Sequence, residues 1–414
     1  MTDHLISNKL LNSSQHGFMR NKSCLTNLLE FFEIVTSEVD DNNPMDIIYL
    51  DFSKAFDKVP KMRLLEKIKA HNIHGDILKW IESWLTGRRQ RVVLNGSASS
   101  WSPVESGVPQ GSVLGPLAFV IFINDLDLCA QLIRILKKFA DDTKVGHIVR
   151  TDEERNELQT CLDLLCDWAD TWGMSFNTDK CKVLHVGHNN PQYSYTMNGY
   201  TLSEPGWEQD IGVKVKENLK PSLQCSSASK RANFVLGQIS RAFHFRDRHV
   251  FLRLYKTYVR CHLEFAVSAW SPWTERDKYA LEKVQRRAVR MITGLKGKNY
   301  EEKLKELGML SLEDRRIRYD MVQVFKILYK FDDVDSRVWF QTMENSARDT
   351  RLSSYPLNLT TTRSRLEIRQ HFFSQRVVNL WNDLPVHVKD SRNPKIFKQR
   401  FDEWKIIEAN NTEV

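Results

Sequence analysis

Three aspartates stand where the sequence could build a metal site. Asp51 directly follows the apolar run 47–50, which is typical of a buried strand. Asp141 and Asp142 lie further along, at a turn within the apolar stretch 136–145. Three carboxylates that converge from strand ends can hold two divalent cations about 4 Å apart for phosphoryl transfer. Mg²⁺ suits such a site because it needs few carboxylates besides phosphate and water; the alternative is that these are ordinary turn aspartates.

A glycine- and proline-rich loop lies between the two acidic positions. Residues 106–111 read SGVPQG and lead to an apolar stretch, 117–126, that is typical of a buried helix. Because glycine has no side chain, such a loop allows a nucleotide or a template base to approach the backbone closely. Similar stretches also form ordinary turns, and the loop alone does not decide between the two.

The positive charge of the chain is concentrated in one segment. The chain has 414 residues and a net charge of +8, and residues 226–330 contain 23 Lys and Arg against 11 Asp and Glu. A localised basic surface indicates a polyanionic partner, for which nucleic acid is the usual candidate. The alternative is a helical face that is only solvated.

Two predicted helices in this segment have one apolar and one basic side each. In 250–270 the apolar side is predicted to comprise Phe251, Leu254, Tyr255, Tyr258, His262 and Phe265. The residues expected on the basic sides of the two helices are Arg253, Lys256 and Arg260, then Lys283, Arg286, Arg287 and Arg290. Such sides would contact the phosphates of a duplex without reading its sequence.

The elements that position these residues alternate early in the chain and become helical later. Strand patterns at 47–50, 136–145 and 181–186 alternate with helical patterns, one of which begins at a capping box formed by Thr151 and Glu154. The second half of the chain is mainly helical in pattern. The sequence therefore predicts an α+β domain followed by an α domain.

The composition excludes several classes of protein. With 11 Trp, 21 Phe and 11 Tyr, the chain has enough large apolar residues to build cores, which excludes a mostly disordered protein. Its apolar runs are all far shorter than the roughly 18 residues of a membrane helix, so we expect no membrane partner. Seven scattered cysteines indicate a reducing, intracellular setting, with nucleus and cytoplasm both open.

Four segments resemble, in the right order, the motifs of a non-LTR (LINE-type) retrotransposon reverse transcriptase. Residues 49–57 (YLDFSKAFD) resemble motif A, 106–116 (SGVPQGSVLGP) resemble motif B, and 139–142 (FADD) resemble motif C. Upstream of motif A, QHGF at 15–18 and KSC at 22–24 resemble part of the fingers.

The resemblance extends over nearly the whole chain, from about residue 14 to 401. Residues 177–181 (NTDKC) resemble motif D, and 210–213 (DIGV) resemble the strand region after it. Residues 264–273 and 281–294 resemble the thumb of jockey-type and chicken-repeat-type elements, and 372–385 are similar to their C-terminal tail.

The resemblance implies a catalytic role for four residues. Asp51 and Asp141 would bind two Mg²⁺ ions, with Mn²⁺ as the alternative metal, and Asp142 would assist. Lys180, in the NTDKC segment, would protonate the leaving pyrophosphate. The alternative reading of Lys180 is a solvated lysine at a strand edge.

Four further residues would contact the nucleotide or the template, namely Phe52, Phe56, Gln110 and Gly111. Phe56 would be the steric gate that excludes a ribose 2′-hydroxyl, and the alternative is a phenylalanine of the core. The partners that the resemblance implies are an RNA template, a DNA primer and deoxynucleoside triphosphates. The oligomeric state is left open.

The fold implied by the resemblance is a right-hand polymerase. Partial fingers and a palm with an antiparallel sheet would occupy 1–225, a helical basic thumb 226–335, and a C-terminal extension 336–414. The polar stretch 344–365 reads as a linker or loop. Proteins of the family begin with an endonuclease domain and more of the fingers, so we expect this chain to be truncated at its N-terminus.

Two functions remain open at this point. The first is an RNA-directed DNA polymerase core that transfers nucleotides to a primer 3′-hydroxyl by a two-metal mechanism. The second is a truncated, catalytically inactive retroelement-derived protein that binds nucleic acid. A two-metal nuclease is disfavoured, because motif B and a gate at Phe56 would have no role in it.

Overall fold

The computed structural model describes residues 1–244, 246–342 and 356–412, and in it the chain forms two compact units. The first unit comprises Met1–Asn27 and Asp41–Ile211, and the second comprises Leu28–Asp40 and Gly212–Val414. Residues 343–355, which include about half of the stretch predicted as a linker, lie outside the described residues.

The first unit contains the central sheet and the helices that cover it. Its helices are α1 (Thr2–Ser7), the first turn of α2 (Cys24–Asp40, of which Leu28–Asp40 belong to the second unit), α3 (Ala55–Lys58), α4 (Lys61–Ala70), α5 (Gly75–Leu85), α6 (Leu114–Phe122) and α7 (Asp152–Trp172). Its strands are β1 (Met45–Leu50), β2 (Arg89–Gln90), β3 (Val93–Leu94), β4 (Ser97–Ala98), β5 (Ser102–Pro103), β6 (Ile135–Phe139), β7 (Asp142–Ile148), β8 (Lys182–Val186), β9 (Thr196–Met197), β10 (Tyr200–Thr201) and β11 (Trp207–Asp210).

Four of these strands form an antiparallel sheet in the order β6-β7-β1-β8. β1 is paired along both edges, and its side chains are buried on both faces of the sheet except for the half-buried Tyr49, which accounts for a sequence that is mostly apolar rather than alternating. Apolar residues of the sheet and helices, such as Ile48, Phe122 and Leu162, are fully buried in one shared core. The predicted strands at 47–50 and within 136–145 are confirmed.

Two helices test the predicted boundaries. α7 begins at the predicted capping box of Thr151 and Glu154 and ends at Gly173, which has a left-handed φ of 70°. The helix predicted at 117–126 instead spans Leu114–Phe122, and a 3₁₀ segment (Asn124–Ala130) follows it. The shift arises because Pro116 fits the first turn of a helix, where its missing N–H is not needed.

The second unit is almost entirely helical. It contains β12 (Val213–Lys216) and the helices α8 (Ser222–Ala242), α9 (Arg248–Leu254), α10 (Arg260–Glu264), α11 (Glu275–Arg290), α12 (Tyr300–Leu307), α13 (Leu312–Leu328), α14 (Glu367–Gln370), α15 (Phe373–Arg376), α16 (Val378–Asp383), α17 (Val386–Lys389) and α18 (Pro394–Thr412). A π-helix (Tyr255–Val259) joins α9 to α10, and short 3₁₀ segments occur at Val267–Ala269 and Ser336–Val338.

The predicted apolar face of 250–270 is partly wrong. Tyr258 and Phe265, expected inside, are 56% and 43% exposed, whereas Val259 is fully buried. The reason is the π-helix, which takes up an extra residue per turn and so keeps every fourth residue on one side.

The order of elements confirms the α+β class, with a mixed sheet-and-helix part before a helical part. The proposed boundary at 225 falls inside α8, and the three-domain division stays a prediction. Within the described residues, no helix is long and apolar enough to cross a membrane.

Candidate active site

Two neighbouring strands bring Asp51 and Asp142 to one edge of the central sheet. β1 ends at Leu50, which pairs with Thr143 of the antiparallel strand β7. In an antiparallel pair, the residue after one partner lies beside the residue before the other. Asp51 therefore lies beside Asp142.

Asp141 occupies a tight turn next to this pair. Phe139 of β6 pairs with Asp142 of β7, so Ala140 and Asp141 alone connect the two strands. Ala140 has a left-handed φ of 56°, which the first central residue of a two-residue hairpin turn commonly requires. The predicted strand–turn–strand arrangement of motif C is confirmed.

Asp51 and Asp142 line a common cleft of about 300 Å³. Lys144, Lys180 and Asp210 line the same cleft. Asp141, the third predicted metal ligand, does not line this cleft. Two of the three predicted ligands thus share the cleft, and convergence of all three stays a prediction.

Burial and neighbouring carboxylates raise the pKa of two acidic residues of the site. Partial burial, and after it the carboxylates of Asp141, Asp210 and Asp51, raise the pKa of Asp142 to about 6, while Lys144 acts in the opposite direction. Burial, with a smaller contribution from Asp51, raises the pKa of Asp141. Such crowding favours the uptake of a proton or a cation.

The residues at the site fit a divalent cation. Oδ2 of Asp51 is shielded from solvent and accepts no hydrogen bond from the described residues, and Nζ of Lys180 lies 3.3 Å from it. Carboxylate oxygens are ligands that Mg²⁺ takes, together with phosphate and water. In residues 1–244, 246–342 and 356–412, no three His, Cys, Asp or Glu side chains are already arranged to hold a metal ion.

Sequence reasoning assigned no role to a buried ion pair in the same cleft. Lys144 of β7 contacts Asp210 of β11, and both side chains are almost fully buried. Burial raises the pKa of Asp210 and lowers that of Lys144. In the sequence, the only indication that Lys144 belongs to the site is the alternation along β7, which places positions 142 and 144 on one face of the sheet.

The loop of residues 106–111 is docked on α3, the short helix that follows Asp51. Val108 N–H donates to the carbonyl oxygen of Phe56 at 2.9 Å. Gly107 has a left-handed φ of 85°, and a Cβ at this position would lie 2.7 Å from the carbonyl oxygen of Asp57. Only glycine fits this contact, so the loop and α3 form one packed assembly.

The two residues of this loop that were predicted to contact a nucleotide are both exposed. Nε2 of Gln110 donates a hydrogen bond of 2.9 Å to Oδ1 of Asp57. Gly111 has no heavy atom within 4 Å of the position that a Cβ would take. Both are accessible to a ligand, and their contact with a nucleotide stays a prediction.

The two phenylalanines predicted to contact a nucleotide have different surroundings. Phe56 is half-buried, and its ring stacks on Phe119 with the centroids 4.3 Å apart. Phe52 is 4% exposed and stacks on Phe176 at 4.4 Å. The ring of Phe52 therefore belongs to the core, and the nucleotide contact of Phe52 and the gate at Phe56 both stay predictions.

The basic residues predicted in the first basic helix differ in exposure. Arg253 and Lys256 are exposed, as expected. Arg260 is half-buried and forms an ion pair with Glu264 at 3.4 Å, so it is a weaker candidate for a phosphate contact.

The arginines of α11 also differ from one another. Arg290 is exposed. The guanidinium of Arg286 stacks over the ring of Tyr300 at 4.0 Å, and that of Arg287 donates to Oδ1 of Asn233 at 3.1 Å. Arg286 and Arg287 are therefore already in contact with a neighbouring side chain, and each would have to contact a phosphate in addition.

Comparison with a family model identifies the class of the protein. Residues 1–219, more than half of the chain, match the model described as "Reverse transcriptase (RNA-dependent DNA polymerase)". The chain therefore belongs to the reverse transcriptase family, and its first unit has the fold of a polymerase.

Curated relatives point to retrotransposons. An RNA-directed DNA polymerase from mobile element jockey of Drosophila funebris is 27% identical over 321 residues, which cover 71% of this chain and 34% of that protein. A Pol polyprotein from the type-1 retrotransposable element R2 of Popillia japonica is 26% identical over 178 residues, 39% of this chain and 28% of that one. The predicted resemblance to jockey-like, non-LTR reverse transcriptases is confirmed, and the chain spans about a third of the length of the jockey protein.

Solved structures with similarity to the chain include two telomerases. A structure of apo telomerase from Candida tropicalis gives a TM-score of 0.42 at 12% identity and covers 81% of this chain and 54% of that one. One of telomerase from Candida albicans with a telomeric RNA fragment gives 0.40 at 11% identity, with 75% and 58% covered. Both TM-scores are below 0.5.

Proposed function

We propose that this chain is the catalytic core of an RNA-directed DNA polymerase of a non-LTR retroelement. The observation that supports this most directly is the cleft at the ends of β1 and β7, where Asp51 and Asp142 lie side by side. Burial, and after it the neighbouring carboxylates, raise the pKa of Asp142 to about 6. Membership of the reverse transcriptase family supports the same chemistry.

Asp51 and Asp142 would hold Mg²⁺ in this cleft, or Mn²⁺ in its place, with Asp141 as the third carboxylate. Two bound cations would lower the pKa of the primer 3′-hydroxyl and stabilise the charge of the transferred phosphate. Asp51 follows a strand paired on both sides, Asp141 is the second residue of the two-residue turn, and Asp142 begins β7, so the backbone holds all three rigidly.

The remaining residues of the site bind and orient the substrates. Lys180 is largely exposed beside Asp51, where its Nζ holds a proton that can pass to the leaving pyrophosphate oxygen. Phe56 would stand against the sugar and exclude a 2′-hydroxyl. Gln110 and Gly111 would contact the incoming nucleotide and the template from the docked loop.

The partners in this proposal are an RNA template, a DNA primer and deoxynucleoside triphosphates. The exposed residues Arg253, Lys256 and Arg290 of the second unit would contact phosphates of the duplex. In the proposed division, fingers and palm occupy 1–225, the thumb 226–335 and an extension 336–414.

A second function is supported by the basic residues alone. Arg253, Lys256 and Arg290 are exposed and belong to a different unit from the acidic cleft. A chain without polymerase activity would therefore still bind nucleic acid through them. On this second reading the protein is an inactive, retroelement-derived binder.

Primer extension separates the two functions. The purified chain is given a DNA primer on an RNA template or on a DNA template of the same sequence, with Mg²⁺ or Mn²⁺. The polymerase proposal expects templated incorporation on RNA with at least one metal. Absence of incorporation under all four conditions, with binding of the primer–template retained, would contradict the polymerase and support the binder.

A further inference from the structure

We propose that residues 15–18 position two sides of the active site, with Gln15 fixing the turn that bears Asp141 and Phe18 bracing Phe56. The inference rests on the proposed polymerase function and assigns a task to a segment that contains none of the predicted site residues. Gln15 and Phe18 are positioning residues here, because they act through the backbone of a turn and through another side chain.

Gln15 holds the turn through its buried amide. Its side chain is 1% exposed, and its Oε1 accepts hydrogen bonds from the N–H of Ala140 at 2.9 Å and from the N–H of Gly17 at 2.7 Å. Its Nε2 donates to the carbonyl oxygen of Ala140 at 3.4 Å. One side chain thus satisfies both backbone groups of the residue that precedes Asp141.

The backbone on either side of Gln15 strengthens this attachment. The N–H of His16 donates to the carbonyl oxygen of Lys138, and the N–H of Lys138 donates to that of Ser14, both at 2.9 Å. The segment therefore runs along β6 like a short additional strand. Because buried N–H and C=O groups need partners, removing the Gln15 amide would leave the turn unsatisfied.

Gly17 makes the close approach to the turn sterically possible. A Cβ at this position would lie 2.2 Å from the backbone nitrogen of Ala140 and 2.8 Å from the carbonyl carbon of Phe139. Ala140 itself has a left-handed φ of 56°, a conformation that a residue with a Cβ keeps only when its surroundings hold it. The segment supplies those surroundings.

Phe18 links the same segment to the predicted sugar gate. Its ring meets that of Phe56 edge to face, with the centroids 6.3 Å apart and an interplanar angle of 83°. Phe56 stacks on Phe119 as well, so its ring has aromatic contacts from two elements. Phe18 is 55% exposed and has a left-handed φ of 58°, and the edge-to-face contact gives this strained residue a role.

The first test compares Gln15→Met, which removes the acceptor, with Gln15→Glu, which keeps it. If Gln15 positions the turn, Gln15→Met should lower kcat by about 10- to 100-fold, as loss of partners that orient catalytic ligands does. KM for the deoxynucleoside triphosphate should change little, and Gln15→Glu should retain more of kcat. Equal losses in Gln15→Met and Gln15→Glu would overturn the assignment.

The second unit offers a matched control for this substitution. Gln285 is also fully buried, and its Nε2 donates to the hydroxyl of Tyr300 and the carbonyl oxygen of Leu310. Gln285→Met should lower thermal stability about as much as Gln15→Met does. It should not lower kcat beyond the loss that results from unfolding. If Gln285→Met lowers kcat as much as Gln15→Met does, the effect is one of stability and the proposal fails.

A readout without catalysis keeps the positioning role separate from the polymerase function. Hydrogen exchange at the amide of Ala140 and binding of Mn²⁺ alone, followed by electron paramagnetic resonance, are measured in wild type and in Gln15→Met. Faster exchange and weaker Mn²⁺ binding in the variant support the role even if the wild type extends no primer. Unchanged exchange and binding overturn it even if the wild type is an active polymerase.

The second test addresses the gate. Phe18→Ala should lower the preference for deoxyribonucleotides over ribonucleotides in the same direction as Phe56→Ala, and by less. Tyr200→Ala, which removes another exposed aromatic side chain of the same unit, should leave the preference unchanged. A Phe18→Ala variant with the sugar preference of the wild type would overturn the bracing role of Phe18.

Discussion

Asp142 is partly buried and has three acidic neighbours against one basic neighbour, so its carboxyl group binds a proton more readily in the folded chain than in the unfolded one. Its pKa of about 6 lies above the ordinary value of 3.8. The folded state therefore binds more protons than the unfolded state between these two pH values. The contribution of Asp142 to the free energy of unfolding should therefore fall as the pH rises from about 4 to about 6, and it should stay lower above that range.

Asp142→Asn removes this pH dependence. Without divalent cations, the variant should be more stable than wild type above about pH 6, and the difference should vanish below about pH 4. We expect a gain on the order of 1 kcal/mol, because solvent at the open side of the cleft screens the repulsion. Urea unfolding of both proteins across this pH range measures it, and parallel stability curves would contradict the crowding of charge at Asp142.

Phe56 and Phe52 belong to the same motif, but we expect substitution of Phe56 to change the sugar preference and substitution of Phe52 to change only the stability. Phe56→Ala should allow ribonucleotides to be incorporated more readily, because the half-buried ring would no longer stand against the 2′-hydroxyl. Phe52→Leu should lower stability by roughly 1 kcal/mol or more, since its ring stacks within the core, and leave sugar preference unaltered. Single-nucleotide incorporation with both sugars measures the preference, and an unchanged value in Phe56→Ala would make Phe56 a core residue.

At the scale of elements, the docking of the glycine loop on α3 depends on one position. Gly107→Ala would bring a Cβ within 2.7 Å of the backbone of Asp57, and the loop would have to move away. We expect a loss of about 2 kcal/mol or more in stability, together with loss of nucleotide incorporation.

Gly111→Ala is the matched control for Gly107→Ala. Gly111 also has a left-handed φ, of 77°, and has open space where a Cβ would stand. Gly111→Ala should therefore lower the free energy of unfolding only by the backbone strain, about 1 kcal/mol. Thermal unfolding of both variants measures the difference. Equal losses of stability in Gly107→Ala and Gly111→Ala would mean that the contact with Asp57 is unimportant.

Elements with strong local signals could be predicted from the sequence. The apolar run before Asp51, the turn at Asp141 and the capping box of Thr151 each depend on a few adjacent residues, and all three are confirmed. The π-helix at Tyr255–Val259 could not be predicted, because apolar residues at 251, 255, 258 and 259 fit an ordinary helix equally well.

The parts of the site that sequence reasoning missed depend on contacts between distant segments. Gln15 reaches a turn that lies 125 positions away, and Lys144 meets an aspartate 66 positions away. The resemblance marks Gln15 only as part of the fingers, and Lys144 is marked only by its alternation with Asp142 along β7. The enclosure of the Phe52 ring could not be predicted for the same reason, since only the fold shows it.

For the whole molecule, the concentration of basic residues in 226–330 predicts nucleic-acid binding that weakens with salt. Each phosphate contact contributes roughly −0.9 to the slope of log affinity against log salt on duplex DNA. Neutralising Arg286, Arg287 and Arg290 together should flatten the slope by about two to three units if all three contact phosphate. Sequence preference should not change.

The structure refines this expectation for the single residues. Arg290→Gln should flatten the slope by about one unit with little loss of stability, since its side chain is exposed. Arg286→Gln should also lower stability, because it removes the stack on Tyr300. Arg392→Gln, an exposed arginine outside the basic segment, is the control. Equal slopes in wild type and in the triple variant would mean that this surface is only solvated.

In the proposed function, polymerisation takes place at the carboxylates of Asp51, Asp141 and Asp142. The most direct measurement is single-turnover extension of a DNA primer on an RNA template by wild type, Asp141→Asn and Asp179→Asn. Asp179 is an exposed aspartate that lines the same cleft and has no predicted role, so its variant makes the same change of charge. We expect Asp141→Asn to abolish extension with the fold retained, while Asp179→Asn extends like wild type. Extension by Asp141→Asn at the wild-type rate would contradict the proposed function.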